Sequence, residues 1–334
     1  MKMDIRDSID SCQIDLTRNC NLACSFCRQT NESDLPDSMS FDQWSSVITQ
    51  LKEMDCKMVA LAGGEPLMHK DFFSILGLAT SMIKEVYVLS NGTLITQEVA
   101  ARLAEKKIKG LQVSLDAFNS VLHDKIRGRN GTWEKATRGI KYAIEAGIPV
   151  TIRTTVYKEN AQEAAPLLEF AHDIGAHIYA IRRVVPTGKG GSVDLLKPEE
   201  LRILFTSLAN RARELNMRLS LGDPFSRVLL GGQTFIEGKV GGCSIGLNIL
   251  YIAQDGSVLL CPCLPIYCGD VKRENVRSIW RDAKAFSIAR SLRSNLQGKC
   301  GVCEYKFQCG GCRASAYYLT GSICGEDAGC WREF

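Results

Sequence analysis

The sequence lacks the features that would place it in a membrane, on nucleic acid or outside the cell. Its 334 residues contain no apolar run of about 18 residues, and the N-terminus MKMDIRDSIDS has no apolar signal-peptide core. The net charge of +4 is small and is spread along the chain. We therefore expect a cytoplasmic protein with no nucleic-acid and no membrane partner, and the length predicts a main domain plus a smaller one.

Histidine is scarce, and cysteine is missing from the middle of the chain. The four histidines share no metal-ligand spacing, so they predict no histidine-based metal site. Of 15 cysteines, four lie in residues 12–27, one is Cys56 and ten lie in residues 243–330. Two separated groups of thiols in a reducing compartment indicate zinc or iron–sulfur clusters rather than a disulfide framework.

The first half of the chain alternates short apolar runs with amphipathic stretches. This alternation predicts βα units and a parallel sheet, and six repeats without a dinucleotide fingerprint predict an α/β fold, a partial (β/α)6 barrel of the TIM type. In such barrels the chemistry lies at the C-terminal ends of the strands. The predicted strands are Cys12–Leu16, Met58–Leu61, Val86–Leu89, Gly110–Leu115, Val150–Val156 and His177–Val184; the predicted helices are 41–53, 71–82, 97–106, 133–146 and 161–174.

The second half begins with one more predicted helix, 196–216, and changes character after Gly231-Gly232. A hairpin is predicted at Leu247–Leu260 around Asp255-Gly256, followed by a helix near 275–292 and a loop-rich cysteine tail. We therefore predict a barrel domain over residues 1–230 and a cysteine-rich domain over residues 231–334.

Cys20, Cys24 and Cys27 form the pattern Cys-x3-Cys-x2-Cys. Three closely spaced thiolates can hold three irons of a cubane and leave the fourth iron open to another ligand. Structural zinc requires a fourth ligand and is commonly bound by Cys-x2-Cys pairs. A ferredoxin would have a fourth cysteine nearby. The triplet therefore favours a catalytic iron–sulfur cluster, with structural zinc as the alternative.

With this triplet, the sequence resembles the radical S-adenosylmethionine (SAM) superfamily over nearly its whole length. The resemblance implies that the open iron binds SAM and that reductive cleavage yields a 5′-deoxyadenosyl radical. It also implies a set of SAM-contacting positions at the strand ends. The alternative for Gly-Gly and Glu-Pro is an ordinary turn, and the alternative for the single polar residues is an ordinary position at a strand end. These positions are Phe26, Gly63, Gly64, Glu65, Pro66, Ser90, Asn91, Ser114, Asp116, Arg153 and Val185.

The C-terminal cysteines resemble the SPASM extension of peptide- and cofactor-maturing members of that superfamily. The resemblance implies two auxiliary 4Fe–4S clusters. One would use Cys300, Cys303, Cys309 and Cys330; the other would use Cys243, Cys261 and Cys312, with a fourth ligand left open. A zinc ribbon is the alternative for 300–312. Cys12 and Cys56 fit buried packing, while the roles of Cys263, Cys268 and Cys324 stay open.

The expected activity is hydrogen abstraction from a substrate by a SAM-derived radical, with a reductant such as ferredoxin or flavodoxin as partner. A ribosomally made peptide is the first candidate substrate, to be crosslinked, epimerised or dehydrogenated. Only 19 residues precede Cys20, so we expect any leader-peptide-binding protein to be separate. A small molecule is the alternative: the tail, the Cys27-Arg28 pair and residues 184–190 also resemble the haem and haem-d1 tetrapyrrole branch.

In that branch the substrate carries carboxylates, for which Arg182, Arg183 and Lys189 are candidate partners. The reaction there would be oxidative modification or decarboxylation of a tetrapyrrole side chain. Carbohydrate or antibiotic tailoring is a third possibility for the substrate. A non-catalytic iron–sulfur electron carrier is the alternative outside enzymes, although a carrier needs no SAM-binding positions.

Overall fold

Within the residues that the structure describes, a ten-stranded sheet connects the two halves of the chain. The computed structural model describes residues 9–29, 39–229 and 242–333. The strands are β1 (Ser11–Asp15), β2 (Met58–Ala62), β3 (Glu85–Ser90), β4 (Gly110–Ser114), β5 (Val150–Val156), β6 (Ile178–Arg183), β7 (Leu219–Leu221), β8 (Ile249–Ile252), β9 (Ser257–Cys261) and β10 (Leu264–Asp270). Their order in the sheet is β10-β9-β8-β1-β2-β3-β4-β5-β6-β7.

Helices follow the first strands in regular alternation. They are α1 (Phe41–Glu53), α2 (Phe72–Met82), α3 (Gln97–Glu105), α4 (Ser120–Arg127), α5 (Thr132–Glu145), α6 (Ala164–Asp173), α7 (Pro198–Glu214), α8 (Pro224–Leu229), α9 (Val276–Asp282), α10 (Lys284–Ser291), α11 (Gly298–Val302) and α12 (Arg313–Thr320). Short 3-10 turns cover Pro66–Met68, Lys158–Glu163, Gly188–Ser192 and Leu292–Ser294. None of the helices in the described ranges combines the length and the apolar character of a membrane-spanning segment.

The parallel, alternating part of the sheet confirms the α/β fold with a partial TIM-type barrel. Strands β1 to β7 pair in chain order and run parallel. All six predicted strands are present, and β7 is an additional short strand. Because the carboxyl ends of parallel strands share one edge of the sheet, the loops after β1 to β6 lie close together.

The helices form where the sequence supplies caps and an apolar face. In α1, Ser40 and Gln43 form a capping box, and Trp44, Val47, Ile48 and Leu51 are buried at helical spacing. The sequence did not predict α4, which has eight residues. Asn119 caps its N-terminus by accepting from Leu122 N at 3.0 Å, and Gly128 ends it in the left-handed conformation.

The cysteine-rich half extends the sheet from the other edge of β1. Strand β8 pairs in parallel with β1, β9 pairs antiparallel with β8, and β10 pairs antiparallel with β9. The turn at Asp255-Gly256 confirms the predicted hairpin, and β10 is a further strand that the sequence analysis did not predict. The predicted domain boundary near residue 230 lies outside the described residues. The division into 1–230 and 231–334 stays a prediction, although strands from both halves share one sheet.

Candidate active site

A cavity of about 310 Å³ opens at the carboxyl ends of the barrel strands. Its wall contains most of the residues that the sequence singled out. From the predicted set these are Cys20, Cys24, Cys27, Phe26, Gly63, Gly64, Ser90, Asn91, Ser114, Arg153 and Val185. Glu65, Pro66 and Asp116 are buried and do not line the cavity. The structure therefore brings residues from six strand ends to one place.

The cysteine loop, residues 16–28, follows β1 and carries Cys20, Cys24 and Cys27. Two glycines allow the loop after β2 to lie directly against it. A Cβ at Gly63, which has φ +145°, would lie 2.5 Å from Thr17 O, and a Cβ at Gly64 would lie 2.4 Å from Arg18 O. Backbone hydrogen bonds follow this contact, since Gly64 N donates to Thr17 O at 2.7 Å and Glu65 N to Asn19 O at 2.8 Å. Any side chain at these two positions would push the loops apart.

The thiols of the triplet have polar neighbours from other elements. Arg127, the last residue of α4, donates from Nη1 to Cys24 Sγ at 3.5 Å, and Asn91 Nδ2 lies 3.9 Å from Cys20 Sγ. Burial raises the pKa of Cys20 to about 11 and also raises the pKa of Cys24, for which Arg127 acts in the opposite direction. Metal binding must therefore displace protons from both thiols.

Glu65 is buried beside the cavity wall and holds the neighbouring loop in place through hydrogen bonds. Its carboxylate accepts from Ser90 Oγ at 2.8 Å and from Asn91 N at 2.7 Å, and it caps the 3-10 turn at Pro66. Burial raises the pKa of Glu65 to about 7, while the donors from Asn91 and Ser90 act in the opposite direction. This carboxylate fixes the chain at the end of β3 so that Asn91 reaches the cysteine loop.

Asp116 is buried as well and holds neighbouring parts of the chain in a similar way. It forms a buried ion pair with Arg127 and accepts from Thr155 N at 2.9 Å. Its own N–H donates to Nδ1 of the buried His123 at 3.2 Å. Sequence reasoning missed Arg127 because it lies on the unpredicted helix α4; the only local signal was a basic residue directly before the helix-ending Gly128.

Arginine dominates the polar part of the cavity wall. Arg18, Arg28, Arg127, Arg153, Arg182 and Arg183 all line it. Burial lowers the pKa of Arg153 to about 10, and the nearby Arg182 contributes in the same direction. Such a wall is suited to an anionic ligand, because guanidinium groups bind carboxylates in a bidentate manner.

The cysteine loop is fixed to the cysteine-rich half through Arg28. Its Nη2 donates to the buried Asp15 at 2.5 Å, and its Nη1 donates to Tyr251 OH at 3.2 Å. Tyr251, on β8, also donates to Asp15 at 2.7 Å. Asp15 ends β1, so this network connects the loop to the strand pair β1–β8.

Four of the C-terminal cysteines surround a separate small cavity of about 30 Å³. Cys300, Cys303, Cys309 and Cys330 all line it, and they are the four that the sequence grouped together. Burial raises the pKa of Cys309 to about 12. The donor set of four thiols fits a 4Fe–4S cluster.

Asp327 joins this cavity to the barrel. Its carboxylate accepts two bonds from Arg183 Nη2, at 2.6 and 2.7 Å, and one from Cys312 N at 2.7 Å. Its N–H donates to Cys300 Sγ at 3.4 Å. Arg183 ends β6 and is also paired with Asp223 at 2.7 Å. The sequence analysis named Arg183 as a candidate partner of substrate carboxylates. In the structure its guanidinium group is instead paired with two buried carboxylates of the chain itself.

The remaining predicted ligands, Cys243, Cys261 and Cys312, come from three separate segments. Cys243 N donates to Cys309 O at 3.0 Å, which brings it to the loop that carries Cys312. Among the described residues, no three side chains of His, Cys, Asp or Glu are placed to hold one single metal ion. The thiols of the cysteine loop and of the C-terminal tail nevertheless form the sulfur-only donor sets that iron–sulfur clusters use.

The chain matches two known family profiles and several known proteins. The radical SAM superfamily profile matches residues 14–171, and the profile of the SPASM iron-sulfur cluster-binding domain matches residues 243–310. The chain is 32% identical to the AdoMet-dependent heme synthase of Methanosarcina barkeri, over 95% of this chain and 94% of the relative. It is 29% identical to the mycofactocin maturase MftC of Mycobacterium tuberculosis, over 95% and 81% of the two chains.

Solved structures of Streptococcus suis SuiB share the fold. With the structure bound to S-adenosylmethionine the TM-score is 0.82 at 19% identity, covering 98% of this chain and 78% of SuiB. With the structure bound to the precursor peptide SuiA the TM-score is 0.83 at 20% identity, covering 98% and 76%. Together with the cysteine loop at the barrel mouth, these matches show that the chain is an enzyme of the radical SAM superfamily with a C-terminal SPASM domain, whose cofactors are 4Fe–4S clusters and S-adenosylmethionine.

Proposed function

We propose that this enzyme modifies a carboxylate-bearing side chain of a tetrapyrrole. The observation that carries the proposal is the arginine-rich cavity wall next to the cysteine loop. It is supported by the 32% identity to an AdoMet-dependent heme synthase that matches this chain nearly end to end. Several carboxylates on one rigid ligand would match guanidinium groups from β6 and the cysteine loop.

Within this proposal, Cys20, Cys24 and Cys27 hold the radical-generating cluster. The bound cluster and SAM supply a 5′-deoxyadenosyl radical for hydrogen abstraction. Gly63 and Gly64 present backbone groups to SAM. The cavity holds the reacting groups near each other.

The other predicted SAM positions divide into two groups. Arg153 pairs with the SAM carboxylate, and Phe26, Ser90, Asn91, Ser114 and Val185 surround the adenosine. Glu65 and Asp116 hold those positions in place, because their carboxylates accept hydrogen bonds from the ends of β3 and β5. Pro66 is buried in the turn that follows Glu65. Arg182 and Arg28 face the substrate carboxylates.

The test uses the anaerobically reconstituted enzyme with dithionite, SAM and a porphyrin that carries propionate side chains, with and without iron. The expected result is 5′-deoxyadenosine together with a product that has lost carbon dioxide and two hydrogens per side chain. Replacing Cys20, Cys24 and Cys27 together with alanine should abolish both products. Formation of 5′-deoxyadenosine by that triple variant would contradict the assignment of the cluster.

The Arg182→Gln variant tests the substrate contact. We expect it to raise the KM for the porphyrin by about tenfold, because it removes one charged hydrogen-bonding group. Arg211→Gln is the matched control, since Arg211 is exposed on α7 and pairs with Glu169 and Glu214 at the surface. Equal KM values for the two variants would argue against Arg182 as a substrate contact.

Peptide maturation is the second candidate, and the similarity to MftC and to the peptide-bound SuiB structure favours it. It predicts that 5′-deoxyadenosine forms above background with a peptide and not with the porphyrin. In that case we propose a separate leader-peptide-binding protein as partner. For either substrate, we propose a cytoplasmic location and ferredoxin or flavodoxin as the electron donor.

A further inference from the structure

The tip of the β9–β10 hairpin carries two cysteines, and only the first belongs to the ligand set predicted from the sequence. Cys261 ends β9 and is paired with Leu264, the first residue of β10, so Pro262 and Cys263 form the connection. The N–H of Cys263 donates to Cys261 Sγ at 3.4 Å. Both cysteines are therefore held at one corner by a tight turn, and the bond to sulfur is of a kind that tunes iron–sulfur clusters.

Cys243 and Cys312 approach the same corner from other segments. Gly242 packs so closely on the C-terminal loop that a Cβ would lie 2.2 Å from Cys309 O. This contact holds the next residue, Cys243, beside the segment of Cys309 and Cys312. Helix α12, which begins directly after Cys312, contacts strand β10, which begins directly after Cys263.

Arg182 provides a common neighbour for these thiols. It lies within electrostatic reach of Cys261, Cys263 and Cys312. A cluster held by four thiolates carries net negative charge, and a guanidinium at this position compensates it. Cys263 also lines the barrel cavity together with Pro262.

We propose that Cys263 is the fourth protein ligand of the auxiliary cluster whose other ligands are Cys243, Cys261 and Cys312. With four thiolates, this cluster has no open iron. A substrate in the barrel cavity then meets the ligand Cys263 and the side chain of Arg182 instead of an iron atom. This assignment is independent of which substrate the enzyme uses.

Cys268 offers the matched control in the same hairpin. Its Sγ contacts the carbonyl oxygen of Ile266 at 3.6 Å, and burial is the cause of its raised pKa. It does not line the barrel cavity. We therefore assign Cys268 to packing.

The experiment uses the full chain in which Cys20, Cys24 and Cys27 are alanine, so that only auxiliary clusters contribute. This parent should bind about eight irons, and cyanide should leave the EPR spectrum of its reduced form unchanged. Adding Cys263→Ala should lower the iron content toward about four, or leave a cluster whose EPR spectrum shifts with cyanide. Adding Cys268→Ala should match the parent in both measurements.

Full iron content with a cyanide-insensitive, unchanged spectrum in the Cys263→Ala variant would overturn the assignment. So would iron loss in the Cys268 variant alone. If Cys263→Ala fails to fold by circular dichroism, Cys263→Ser decides the question, because a hydroxyl can replace the thiol as ligand. A shifted EPR spectrum in Cys263→Ser supports ligation, and a spectrum identical to the parent overturns it.

Discussion

Replacing Asp327 with asparagine should loosen both auxiliary clusters at once. Asp327 is fully buried and accepts hydrogen bonds from Arg183, Cys312 N and Gly329 N. Its own N–H reaches Cys300 Sγ. The variant keeps the size of the side chain but removes the charge that Arg183 faces, so the loops carrying ligands of both clusters lose a shared anchor.

The magnitude follows from the two carboxylates around Arg183. Removing one partner of a buried ion pair costs about 3–5 kcal/mol. Asp223 still holds Arg183 through a 2.7 Å bond to Nε, so we expect the lower end of that range. About 3 kcal/mol corresponds to a roughly 150-fold change in the equilibrium for opening this region.

The assay measures the half-time of iron release to a strong chelator, in the variant that lacks Cys20, Cys24 and Cys27. A rate is the suitable quantity because unfolding of a cluster-bearing protein is not two-state. Asp327→Asn should release iron much faster than its parent. Asp282→Asn, at an exposed surface pair with Arg281, should release iron at the parental rate. An unchanged half-time for Asp327→Asn would refute the anchoring role.

Three further predictions concern the barrel. Gly64→Ala should abolish 5′-deoxyadenosine formation because a Cβ would meet Arg18 O at 2.4 Å, whereas Gly191→Ala, with its nearest contact at 3.8 Å, should stay active in the same assay. Burial lowers the pKa of His123 to about 3, from an ordinary value of 6.5. Because the unfolded chain then takes up this proton at a higher pH than the folded one, the free energy of unfolding falls as the pH drops below about 6.5. Between pH 7 and pH 5 the loss is about 2 kcal/mol, and a rate of unfolding in urea that rises as much in His123→Gln as in the wild type would exclude His123 as its source. Cys56→Ala should keep the full iron content by chemical analysis, because its thiol contacts Met58 O; the loss of a whole cluster would make Cys56 a ligand.

The six barrel strands, the hairpin at Asp255-Gly256 and the grouping of Cys20, Cys24 and Cys27 were all readable from the sequence. Each depends on residues close together in the chain: apolar alternation, a turn dipeptide and a short ligand spacing. The same holds for Cys300, Cys303 and Cys309, which lie on one short segment and reach one small cavity. Helix α4 was missed because eight residues give too short a periodic pattern.

The contacts between segments that are distant in the chain became visible only in the folded protein. The pairing of β8 with β1 joins residues more than 230 positions apart, and no local pattern encodes it. The folded structure also distinguishes two cysteines that the sequence left equivalent: Cys263 lines the cavity and Cys268 does not. The fold also brings Arg127 within hydrogen-bonding distance of Cys24 Sγ. It buries Glu65 and Asp116, which do not line the cavity. Such contacts depend on which faces pack together, and one sequence fixes the faces of its strands and helices but not their partners across the sheet.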